Sequence, residues 1–172
     1  LDINTVSINI SMRQILNKDF VQTVEKLYHQ YIDNDCSIGI IFEITETSSS
    51  DDLSSLQKTI QHLKQYGILF SLDDFGTGYS SISYLSEISL IELKIDKSFI
   101  DKILDAKQKV LIKLMIDVAR NLELTVVAEG VENVYQKKIL EELDCDLYQG
   151  YFFSKPVVKE AFEKLCDCSK NS

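Results

Sequence analysis

The sequence predicts an α/β chain in which helices cover a parallel sheet. Two observations carry that expectation. Short, near-continuous apolar runs of strand length recur along the 172 residues, and amphipathic stretches with apolar residues at three- and four-residue steps alternate with them. A single proline and the absence of any linker or composition shift leave the alternation unbroken, which favours one domain.

The elements follow in order. Thr5-Val6-Ser7-Ile8-Asn9-Ile10-Ser11 alternates in polarity as a half-buried strand does, and Ile15, Leu16, Phe20, Val24, Leu27 and Tyr31 mark one helical face behind it. Ile38 to Glu46 reads as a second strand, followed by a helix bearing Leu53, Leu56, Ile60 and Leu63. Ile68-Leu69-Phe70-Ser71-Leu72 is the third strand and leads into a Ser-rich turn and a short helix. Leu90 to Asp96 forms the fourth, with a long helix through Val110, Leu111, Leu114, Met115, Val118 and Leu122. Leu124 to Glu129 forms the fifth, and a helix over 134–143 follows. Leu147 to Phe153 is expected as the sixth, with Pro156 opening a last helix through Val157, Val158, Phe162 and Leu165.

Composition narrows the function classes. Hydrophobic residues make up 45% of the chain, enough for a sizeable core, and no apolar run is long enough for a membrane span or a signal peptide. The cytoplasm is the expected compartment, with no membrane contact by this chain. Cys36, Cys145, Cys166 and Cys168 show neither zinc spacing nor disulfide density and read as free thiols. Eighteen basic residues against 27 acidic ones give a net charge of −9, which argues against a nucleic-acid polymer as partner. A small phosphate ligand is compatible with that charge if cations mediate the contact.

The third strand ends in Asp73 and Asp74, and Phe75-Gly76-Thr77-Gly78-Tyr79-Ser80-Ser81 follows at once. Adjacent anions at the end of a buried strand repel unless a proton or cation sits between them, although solvated aspartates in a plain turn are the alternative. In βα folds the carboxyl ends of the strands converge on one face. The polar residues at those ends are Asn9, Glu43, Asp73, Asp74, Lys94, Glu129 and Gln149. A set of carboxylates and amides suits a hard divalent cation such as Mg²⁺ or Mn²⁺ better than zinc. His29 and His62 fall within helices and read as packed or solvated. Lys94, pointed into such a site, would steady a water or phosphate oxygen; a Schiff-base role is disfavoured because surrounding anions raise its pKa.

Six ordered motifs recur at consistent spacing: Ser7-Ile8-Asn9-Ile10-Ser11, Phe42-Glu43-Ile44-Thr45-Glu46, the segment Asp73 to Ser81, Leu93-Lys94-Ile95-Asp96, Val127-Ala128-Glu129-Gly130-Val131-Glu132, and Gln149-Gly150-Tyr151-Phe152-Phe153-Ser154-Lys155-Pro156. Together they resemble the motifs of the EAL-domain cyclic di-GMP phosphodiesterases. The resemblance implies a TIM-like (β/α) barrel. It also implies two metal ions, with Asn9, Glu43, Asp73 and Glu129 as direct ligands and Asp74 at the second ion. Lys94 would contact the attacking water, and Glu132 and Gln149 would support the site. Glu46 would hold the loop from Phe75 to Ser83, including Gly76, Thr77 and Gly78, which in the family links dimerisation to metal and substrate binding.

One departure stands out: the Glu-Ala-Leu tripeptide of the family's first strand does not occur, and the chain starts at what resembles the third strand. A complete barrel has eight strands and roughly 250 residues. Six of eight βα units, an incomplete barrel over 1–168 with a polar tail at 169–172, is therefore the expectation, and the chain reads as a fragment. The implied activity is metal-dependent hydrolysis of cyclic di-GMP to linear pGpG, lost in the isolated chain if the first-strand glutamate is required. The alternative is a nonhydrolysing cyclic di-GMP receptor or dimerising module. The implied partners are cyclic di-GMP, a second copy in a homodimer, and a sensory or diguanylate-cyclase domain fused upstream.

Overall fold

Phe42 and Ile44, Phe70 and Leu72, Leu93 and Ile95, and Val126 and Ala128 stand at alternate positions of four successive strands, and all are buried. Period-two alternation sends every second side chain to one face of a sheet, so these residues define the face that packs under the helices. The computed structural model describes residues 4–32, 38–45, 50–77 and 82–167. Its strands are β1 (Thr5–Asn9), β2 (Gly39–Ile44), β3 (Leu69–Phe75), β4 (Glu92–Ile95), β5 (Thr125–Ala128) and β6 (Leu147–Tyr148). They form one six-stranded parallel sheet in sequence order. Each strand pairs with the next and, among the described residues, β1 and β6 do not pair, which is the topology of a TIM-like barrel missing part of its circumference.

The helices are α1 (Met12–Ile15), α2 (Phe20–Tyr31), α3 (Ser50–Leu63), α4 (Ile82–Glu87), α5 (Lys97–Ile100), α6 (Ala106–Asn121), α7 (Val134–Glu142) and α8 (Lys159–Asp167), with a 3₁₀ turn at Lys64–Tyr66. Leu56, Ile60 and Leu63 of α3, Ile112, Ile116 and Ala119 of α6, and Leu140 of α7 join the core cluster on the outer face of the sheet. Strong caps set the helix starts. Asp105 accepts from the backbone N–H groups of Lys107 and Gln108, and Asn133 with Gln136 forms a capping box.

Several boundaries differ from the sequence expectation, each for a local reason. The helix expected through Ile15 and Phe20 is two helices: Ser11 and Gln14 cap α1 reciprocally, and the Asn17 side chain accepts from the Asp19 N–H in the break between them. β3 continues through Asp73 and Asp74 to Phe75. β6 stops at Tyr148 instead of running to Phe153, because the chain turns at Gly150 directly against the Val131 backbone, where a Cβ would clash. The Phe152 N–H then donates to the Val131 carbonyl at 2.9 Å and the Phe153 N–H to the Gly150 carbonyl at 3.1 Å. Pro156 does not open α8, which begins at Lys159 after the exposed Val157 and Val158.

Candidate metal and phosphoester site

The inner face of the sheet carries the complementary alternation. Strand register aligns Asn9 with Glu43, Glu43 with Ser71, Ser71 with Glu92, and Lys94 with Val127. Polar side chains therefore line the inside of the barrel wall while the outer face is apolar. Between Leu72 and Phe75 the register with β4 shifts, so Asp73 and Asp74 together stand against Lys94. That is a β-bulge, and Asp74 takes a left-handed backbone with φ 55°, a conformation aspartate tolerates. The bulge is what delivers two carboxylates, where a regular strand would deliver one, to the end of β3.

Lys94 is the centre of the arrangement. Its side chain is 3% exposed, and its ammonium lies 2.6 Å from Glu129, 2.9 Å from Glu43 and 3.1 Å from Asp73. Burial disfavours the ammonium, but hydrogen bonds to Glu129 and Glu43 outweigh that cost and hold its pKa above the ordinary lysine value. Asp73 is served differently. Its Oδ1 is buried and within ion-pair distance of Lys94, yet no donor points at it with hydrogen-bond geometry. The 3.1 Å contact is thus an electrostatic one, and this oxygen keeps an unused acceptor position.

Oxygens of Asp73, Asp74 and Glu129 all lie within 4.8 Å of one another, close enough to share one cation. Burial raises the Glu129 pKa against the lowering effect of Lys94. Desolvation, then the neighbouring Asp73 and Asp96, raises that of Asp74. The raised carboxyl pKa values of Asp74 and Glu129, the buried Asp73 oxygen without a hydrogen bond and an all-oxygen donor set fit a hard divalent ion.

The other expected residues sort around this cluster. Asn9 ends β1 beside Glu43 and is exposed. Gln149 follows β6; its backbone N–H donates to the Ala128 carbonyl at 2.8 Å and its carbonyl accepts from Val131 at 3.0 Å. Gln149 and Glu129 line a groove of about 260 Å³ with Lys97, Gly130, Glu132, Gly150 and Tyr151. Glu132 is therefore at the rim of the groove, not within the Lys94 cage, and its carboxylate accepts from Lys97 at 2.7 Å. Gly76, with φ 96°, leaves no room for a side chain against Phe99 and Met115, and the Thr77 hydroxyl donates to the Asp74 carbonyl at 2.9 Å. Glu46 and Gly78 lie outside the described residues. A larger groove of about 530 Å³, lined by Gln57, Ile60, Gln61, Lys64, Glu87 and Ser89, opens on the helical side away from these groups.

Sequence reasoning missed two contributors. Glu92 is buried one position below Lys94 on the same strand face and accepts from the Ser71 hydroxyl at 3.0 Å; burial pushes its pKa up. The two-residue steps Ser71 to Asp73 and Glu92 to Lys94 were the available signal. Lys97, which ties Glu132 to Asp101 while its stem covers Gly130, had no signal of its own.

The family model of the EAL domain matches residues 2–156. The chain belongs to the EAL domain family. This EAL domain is 42% identical over 162 residues to the signaling protein YkoW of Bacillus subtilis, an alignment covering 94% of this chain and 20% of that protein. It superposes on the crystal structure of the EAL domain of Mycobacterium smegmatis DcpA with a TM-score of 0.87 at 30% identity, covering 95% of this chain and 73% of that one. It likewise matches the PaMucR phosphodiesterase in its c-di-GMP complex with a TM-score of 0.83 at 31% identity, over 92% of this chain and 64% of that one. The EAL domain described here spans about a fifth of the length of the first curated relatives it matches. No helix among its described residues is long and apolar enough to cross a membrane.

Proposed function

We propose that this EAL domain hydrolyses one phosphodiester bond of cyclic di-GMP to give linear pGpG, with Mg²⁺ or Mn²⁺ held by Asp73, Asp74 and Glu129 and assisted by Glu43 and Asn9. The observation that carries the reading is the clustering of Asp73, Asp74 and Glu129 oxygens within 4.8 Å of one another, with a buried Asp73 oxygen that accepts no hydrogen bond and meets only the charge of Lys94. The phosphodiesterase found with c-di-GMP among the structural neighbours supplies the substrate class. A net charge of −9 agrees with it, because a dianionic ligand then needs cations to enter.

Bound divalent ions would supply positive charge for the phosphoryl oxygens and a water acidic enough to attack near neutral pH. The chain's own groups do the rest. Glu43 and Glu129 fix the Lys94 ammonium at the floor of the site, where it can donate to the attacking water or a phosphate oxygen. Gln149 and Glu132 line the adjoining groove, and Lys97 keeps the Glu132 carboxylate at its rim. Gly150 lets the Val131 backbone approach closely there, and Gly130 leaves room for the Lys97 stem. Water adds to phosphorus, the bond to the ribose 3′ oxygen breaks, and that oxygen takes up a proton.

The same reading places the protein in the cytoplasm as a homodimer with further domains in the same polypeptide; the small share of the relatives' length that the chain spans supports the last point. Chromatography of cyclic di-GMP incubated with the full-length protein and Mg²⁺ or Mn²⁺ tests the function. Conversion to pGpG that stops on chelation is expected. Binding without conversion would replace the enzyme by a nonhydrolysing receptor.

A further inference from the structure

We propose that Lys94 is the resident counter-ion of the cation site: in the metal-free protein its ammonium holds Glu43, Asp73 and Glu129 together, and an arriving divalent ion takes Asp73 and Glu129 over from it. The proposal rests on the assignment of these carboxylates to a cation site and adds a second role to a residue so far placed beside the reacting water.

Three carboxylates, two within β2 and β3 and one just past the end of β5, converge on one ammonium that is 3% exposed. Without a cation among them, buried carboxylates at this spacing repel and must take up protons or move apart, and the strand ends would separate with them. The contacts are graded. Glu43 and Glu129 form hydrogen bonds with Lys94, whereas Asp73 Oδ1 lies 3.1 Å from the ammonium without hydrogen-bond geometry and acts on it by charge alone.

Asp73 is thus the anion most easily taken from Lys94, and it is one of the three residues whose oxygens converge within 4.8 Å. One cation against three anions, with Asp74 alongside, leaves the site under-neutralised; this is what attracts a divalent ion. Lys94 keeps the empty site assembled and at the same time competes with the ion for Asp73 and Glu129.

Mn²⁺ titration followed by electron paramagnetic resonance, with thermal melting of the chelator-treated protein, tests this on the full chain. Lys94→Met keeps most of the stem and removes the charge. The metal-free melting temperature should fall, and Mn²⁺ should bind at least about tenfold more tightly, since a like charge next to the ion has gone. Lys94→Met combined with Glu129→Gln restores the metal-free charge balance and should recover the melting temperature lost by the single variant. If the single variant unfolds without metal, that double variant decides: a wild-type-like metal-free melt upholds the proposal, and failure to recover overturns it. Unchanged or weaker Mn²⁺ binding by folded Lys94→Met also overturns it. A wild-type protein that takes up no Mn²⁺ would instead sink the cation-site assignment.

Discussion

Replacing Asp73 by asparagine separates structural from cation-binding roles of the cluster. The substitution is nearly isosteric and removes one negative charge. In the metal-free protein the cost is small, because Asp73 Oδ1 receives no hydrogen bond and the asparagine carbonyl can still face the Lys94 ammonium at the 3.1 Å contact. Easing repulsion with Asp74 and Glu129 works in the same favourable direction, so the metal-free melting temperature should hold or rise. Cation binding should respond in the opposite sense. A unit anion and a divalent ion with charge centres about 5 Å apart attract by about 7 kcal/mol at an effective dielectric constant near 20. If hydration of the ion offsets roughly half, about 3 kcal/mol remains, which is on the order of 100-fold weaker binding. Isothermal titration with Mn²⁺ measures the affinity, and turnover of cyclic di-GMP should disappear with it. Wild-type Mn²⁺ affinity in Asp73→Asn would refute the reasoning, as would a large loss of metal-free stability.

Three further outcomes follow from the fold around the site. Phe70→Ala removes a fully buried ring packed 5.8 Å from that of Phe42 and should lower unfolding stability in urea by about 3–5 kcal/mol. Glu92 has a folded-state pKa raised by burial, so the stability it permits is greatest in acid and falls as pH rises from the ordinary glutamate value through the raised one. Glu92→Gln should therefore stabilise the protein more at pH 8 than at pH 5 in melts of metal-free samples, and an equal effect at both would contradict the assignment. Gly150→Ala would force a side chain into the Val131 backbone and should lower the melting temperature while disordering the groove beside Gln149; unchanged melting would show that the turn can shift.

The fold was legible because apolar alternation in Phe42-Ile44, Phe70-Leu72 and Leu93-Ile95 obeys strand period, and amphipathic spacing marked the helices between. Convergence of Glu43, Asp73, Lys94 and Glu129 also followed from the sequence, since topology alone sends strand ends to one face. Three things were not legible. The bulge that sets Asp73 and Asp74 against Lys94 depends on pairing with β4, which no property local to β3 encodes. β6 looked long because Tyr151-Phe152-Phe153 has strand-like composition, but the contact between Gly150 and Val131 is a tertiary event. Glu92 was hidden by reading only strand ends: it lies a layer deeper, where Ser71 is its partner.

The most direct measurement is anomalous X-ray scattering from crystals of this domain soaked in Mn²⁺. A manganese peak is expected among the oxygens of Asp73, Asp74 and Glu129, with the Lys94 ammonium withdrawn from Asp73. Manganese absent from that cluster at saturating concentration, with Lys94 still in contact with all three of Glu43, Asp73 and Glu129, would contradict it.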